Sequence, residues 1–73
     1  MLKLNHMRLA DLEGLTGCTN LLKASFIDNE IDSMEGLENC LKLEELSFEG
    51  NRLQRIEGIS SLINLKKLDL GKN

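Results

Sequence analysis

The chain has 73 residues and a formal net charge of −3, with acids and bases interspersed. That length allows at most one small domain, and the charge pattern lacks the basic stripe that follows a phosphate backbone, so nucleic acid is not an expected partner. No apolar run approaches the roughly 20 residues of a bilayer span, and residues 1–10 mix apolar with polar types and so do not read as a secretory signal peptide.

Phe26 and Phe48 are the only aromatic residues, and the remaining apolar content is mainly Leu and Ile, spread evenly along the chain. Such a composition suits many thin layers better than one thick core. In chain order, Leu2 and Leu4 flank Lys3, an alternation that places both Leu side chains on one face of a strand. Leu9, Leu12, Gly14, Leu15, Cys18 and Leu21 follow. The same order returns 22 residues later as Ala24, Phe26, Ile31, Met34, Gly36, Leu37, Cys40 and Leu43. It returns again as Leu46, Phe48, Leu53, Ile56, Gly58, Ile59, Leu62 and Leu65, and begins once more at Leu68 and Leu70. Asn29, Asn51 and Asn73 keep the same spacing, whereas Met7 holds the equivalent first place. Self-similarity at a fixed period of this size marks a solenoid.

The expected strands are Leu2–Leu4, Ala24–Phe26, Leu46–Phe48 and Leu68–Leu70, side by side in a parallel sheet roughly 4.8 Å apart. Each Asn lies where its strand turns. A buried amide there can accept from and donate to backbone groups of neighbouring turns, and leaving it unpaired costs about 1–3 kcal/mol. With Met7 at the first place, the Asn ladder is expected to start late. The return arcs are too short for a long helix; a short 3₁₀ turn or one or two helical turns fits.

Leu43, Leu46, Phe48, Asn51 and Leu53 together resemble the leucine-rich repeat, L-x-x-L-x-L-x-x-N/C-x-L. Phe48 stands for the third Leu, and Leu70 restores Leu one period on. The stretch Ile56-Glu57-Gly58-Ile59-Ser60-Ser61-Leu62 is similar to the short, 22-residue class of that family. The resemblance spans the whole chain. It implies an α/β leucine-rich-repeat solenoid, with a parallel sheet on the concave face and short 3₁₀ or helical turns on the convex face. Residues 1–73 then form one fragment of about three repeats without recognisable caps. It further implies a non-catalytic protein–protein interaction module of a larger cytoplasmic protein, whose partner is another protein. Three stretches, Ala24-Ser25-Phe26, Met34-Glu35-Gly36-Leu37-Glu38 and Ile56-Glu57-Gly58-Ile59-Ser60, are also similar to one multi-repeat member associated with cilia. That likeness implies a ciliary or axonemal setting.

The rival expectation is a structural, self-associating unit with no external ligand. The end layers hold Leu2, Leu4, Leu9 and Leu12 on one side and Leu65, Leu68 and Leu70 on the other. Exposed apolar layers and unpaired strand edges favour association.

The expected binding surface is the outward side of the strands: Lys3, Asn5, Lys23, Ser25, Ile27, Glu45, Ser47, Glu49, Lys67 and Asp69. Curved solenoids present such strips to partners. No catalytic residues, cofactor or metal ligands are expected. Cys18 and Cys40 share a repeat position without a C-x-x-C spacing or a His cluster, which reads as two reduced, buried thiols. His6, the only His, reads as an exposed loop residue without a nucleophile beside it. Glu13, Glu35 and Glu57 recur before Gly and read as a solvated rim, with Arg52 and Arg55 near enough to offset them. Gly14, Gly36 and Gly58 are spaced too widely for a phosphate loop and read as turn residues needing positive φ or close packing.

Overall fold

Each 22-residue unit opens on an alternating stretch, and each forms one short strand. The structure is a computed structural model that describes residues 1–15 and 17–73. Strands β1 (Leu2–Lys3), β2 (Lys23–Ser25), β3 (Glu45–Ser47) and β4 (Lys67–Asp69) lie in that order in one parallel sheet. Leu2 pairs with Ala24, Ala24 with Leu46 and Leu46 with Leu68. This is the register that the repeat demands, because a slip of one residue would turn every apolar side chain to solvent. The strands end before the expected Leu4, Phe26, Phe48 and Leu70. Backbone bonding nevertheless continues through those positions: Leu4 N–H donates to Ser25 O at 2.9 Å, Phe26 N–H to Ser47 O at 2.9 Å and Phe48 N–H to Asp69 O at 2.9 Å.

The inward side of the sheet and the arcs enclose a layered core. Phe26, Ile31, Met34, Leu37, Cys40, Leu43 and Phe48 are fully buried. The two Phe rings stack with centroids 5.3 Å apart and planes at 22°, an arrangement that adds to area burial. The outer layers are looser. Leu2, Leu4 and Leu9 are half-buried, and Leu68 is 37% exposed where Leu46 is 3%. The expected 3₁₀ or helical turns are not present as helices among the described residues. The arcs instead carry separate turns, such as Cys40 N–H to Leu37 O at 3.0 Å and Leu43 N–H to Cys40 O at 3.1 Å. Their donors fall three residues apart, so no two consecutive bonds build a helix.

The Asn ladder runs as a chain of amides and carbonyls. Asn29 Nδ2 donates to Leu4 O at 2.7 Å and Phe26 O at 3.0 Å. Asn51 Nδ2 donates to Phe26 O at 2.7 Å and Phe48 O at 2.8 Å, and Asn73 Nδ2 to Phe48 O at 2.9 Å and Leu70 O at 3.0 Å. Their Oδ1 atoms reach one coil back: Asn29 accepts from Met7 and Leu9 N–H, Asn51 from Ile31 and Asn73 from Leu53. The ladder starts at the second coil, as the Met7 substitution implied.

One turn position is left-handed in every unit: His6 (φ 56°), Asp28 (57°), Gly50 (73°) and Lys72 (58°). Only Gly takes this conformation without a Cβ clash. At Gly50 a Cβ would also overlap the Asp28 side chain of the preceding coil. Gly50→Ala is therefore expected to lower stability by about 1–2 kcal/mol in urea denaturation. Gly17→Ala, where an added Cβ meets nothing within 4 Å, is expected to change it by less than about 0.5 kcal/mol. The recurring Gly14, Gly36 and Gly58 all have positive φ, and a Cβ on Gly36 would sit 3.1 Å from Leu12 Cβ.

Candidate functional site

The outward side of the sheet is built by the residues that alternate with Ala24, Leu46 and Leu68. Lys23, Glu45 and Lys67 stand in register across β2, β3 and β4, as do Lys3, Ser25, Ser47 and Asp69 across all four strands. A shallow groove of about 260 Å³ runs over this face, with Ser25, Ser47, Glu45, Lys67 and Asp69 among its lining residues. It has the form of an open contact strip, in which Met1, Ala24, Leu46 and Leu68 add apolar surface between the polar residues.

Two of the ten expected contact residues are turned to internal use. Ser25 is 6% exposed, and its hydroxyl donates to Asn5 Oδ1 at 2.8 Å. The same Asn5 oxygen accepts the Ile27 N–H at 2.8 Å. Asn5 thus caps the next coil, and a side chain engaged in that way offers a partner little. Ile27 is half-buried, and its carbonyl accepts the His6 N–H at 2.9 Å. Ser47 and Glu49 are half-buried, and the Glu49 N–H approaches Ser47 Oγ at 3.5 Å. Lys3, Lys23, Lys67 and Asp69 are exposed, with Asp69 accepting the Gly71 N–H at 2.9 Å.

Charges on this face pair across neighbouring coils. Lys23 Nζ lies 3.2 Å from Glu45, and Lys72 Nζ lies 3.6 Å from Glu49. Off the face, the offset of Lys23 and Glu45 also joins Glu30 to Arg52 at 3.2 Å and Glu44 to Lys66 at 3.7 Å. These pairs are solvent-exposed, and each contributes about 0–1 kcal/mol. Sequence reasoning named Lys23, Glu45, Glu49 and Arg52 singly and missed the pairing between coils; the 22-residue offset between Glu30 and Arg52 was the signal.

The candidates for chemistry fall as follows. His6 is exposed, and its Nδ1 lies 3.3 Å from Asp28 Oδ2, a carboxylate partner that the sequence reading did not foresee. Glu13, Glu35 and Glu57 are exposed. Arg55 meets Glu57 at 3.9 Å, while Arg52 turns to Glu30 instead. Among the described residues no group of three His, Cys, Asp or Glu side chains is placed to hold a metal ion. Cys18 and Cys40 are both free thiols. Cys40 is buried, and burial pushes its thiol pKa up, with Cys18 and Glu38 adding to the effect. Cys18 is half-buried rather than buried, because its coil is the outermost layer and nothing stacks on its far side.

A coil that returns a parallel strand at each 22-residue step, with an Asn ladder at the turn, fits a leucine-rich-repeat solenoid. A family model described as Leucine Rich repeats (2 copies) matches residues 41–73 and supports that family, and the four-stranded parallel sheet fits it. Repeats of this family generally mediate protein–protein interaction and are typically non-enzymatic. No curated protein matches the chain.

Proposed function

We propose that the chain is a leucine-rich-repeat interaction module that binds another protein through the outward side of its sheet. The observation that carries this reading is the polar strip itself: the core consumes one side of β2 and β3 through Ala24 and Leu46, and the other side of the sheet presents Lys3, Lys23, Glu45, Lys67 and Asp69. The bound protein meets a mixed-charge surface, so complementary charges set orientation and on-rate more than affinity. The role is that of a scaffold or regulatory part of a larger cytoplasmic protein. A finer assignment, to a ciliary or axonemal protein similar to leucine-rich-repeat-containing protein nine, rests on the three stretches around Ala24, Met34 and Ile56 alone.

A second reading, self-association with no external ligand, draws on the exposure of Leu68 and Ile56, whose counterparts Leu46 and Met34 are buried. Glu45→Ala/Glu49→Ala and the parent chain are compared in pull-downs and in analytical ultracentrifugation. Loss of a bound protein at unchanged oligomer size is the result expected of the interaction module. A changed size with no partner lost supports self-association and overturns the first reading. A monomer at high concentration removes the second.

A further inference from the structure

One carbonyl touches both cysteines of the chain. Leu15 O accepts the Cys18 N–H at 3.0 Å and lies 3.9 Å from Cys40 Sγ. The two residues hold the same place in successive coils, and each closes the same turn: Cys40 N–H bonds to Leu37 O at 3.0 Å just as Cys18 N–H bonds to Leu15 O. Cys40 Sγ thus reaches the carbonyl that closes the turn of Cys18 in the adjacent coil, which brings the two thiols into neighbouring layers of the stack. Solvent reaches Cys18, which is half-buried, while Cys40 lies in the core.

We propose that Cys18 and Cys40 form a redox-responsive clasp that ties the first coil to the second. The clasp acts on one of the two looser outer layers. Met7 replaces the ladder Asn in the first coil, and Leu2, Leu4 and Leu9 are half-buried where Phe26 and Ile31 are fully buried. The oxidant is a small disulfide such as oxidised glutathione. The Cys18 thiol loses its proton, and the thiolate attacks one sulfur of that disulfide. The small S–S bond breaks, and the departing thiolate takes up a proton. Cys40 then loses its proton and attacks Cys18 Sγ. The second small thiolate leaves and is protonated in turn. Two protein thiols are oxidised and one small disulfide is reduced to two thiols, so atoms and electrons balance. Cys18 attacks first because it is the accessible thiol.

The test equilibrates the full chain in glutathione redox buffers, with and without denaturing urea, then traps thiols by alkylation for mass spectrometry. An intramolecular Cys18–Cys40 disulfide is expected, at least about tenfold more favoured in the folded than in the unfolded chain, together with a higher thermal midpoint for the oxidised form. A ratio of one or less overturns the proposal, as do disulfide-linked dimers or a persistent glutathione adduct on folded Cys18. Cys18→Ser changes a half-buried side chain and leaves the core thiol in place. Its thermal midpoint is expected to ignore the redox buffer, and a shift as large as that of the parent chain also overturns the clasp.

Discussion

Phe48→Ala is expected to remove about 3–5 kcal/mol of stability, which for a chain of this size is a large part of a typical total of about 5–15 kcal/mol. Phe48 is fully buried and stacks on Phe26 at the centre of the layered core. With so few aromatic side chains in the chain, nothing nearby has the volume to refill the cavity. Phe48→Leu restores the residue that the repeat pattern calls for and is expected to cost less, about 1–2 kcal/mol, from the lost stacking and the smaller side chain. Leu70→Ala, at the same repeat position but half-exposed on the last layer, is expected to cost well under half of the Phe48→Ala loss. Urea denaturation of the three variants checks this order. Equal losses at Phe48 and Leu70 would show that the inner layers are no better packed than the outer one.

Asn51→Ala is expected to cost about 2–3 kcal/mol, because it leaves the Ile31 N–H buried without its acceptor and takes one of two amides from Phe26 O and Phe48 O. Asn73→Ala is expected to cost less than about 1 kcal/mol. The reason differs from the one the repeat count suggests. Having a coil on each side does not give Asn51 more bonds: each side chain accepts from the coil before and donates to two strand-end carbonyls, Phe26 O and Phe48 O for Asn51 and Phe48 O and Leu70 O for Asn73. What separates them is water. Asn51 is buried, whereas Asn73 is exposed and its partners can be rehydrated. Matching losses at the two sites in chemical denaturation would show that the ladder bonds do not depend on exclusion of solvent.

The period by itself determines most of the architecture. Side chains alternate at two residues per strand repeat, and the same apolar types recur at 22, so only one parallel register keeps Leu2, Ala24, Leu46 and Leu68 on one face. Core membership followed for Phe26, Ile31, Leu43 and Phe48. The left-handed turn at His6, Asp28, Gly50 and Lys72 was not read from the sequence: Gly50 lies off the Gly14, Gly36 and Gly58 series, and four different residue types share the position. Of the candidate face, the strip was legible as every second residue of each strand. Its use was not: Asn5 and Ser25 are drawn into a hydrogen bond between coils, and Lys23 and Glu45 neutralise each other across them. The unequal exposure of Cys18 and Cys40 was equally hidden, because identical repeat positions become unlike when only one has a coil on both sides. Sequence fixes which face of each coil is apolar through local alternation. Solvent access and cross-coil partners depend on which layers stack on either side, and that is decided only once the coils are assembled.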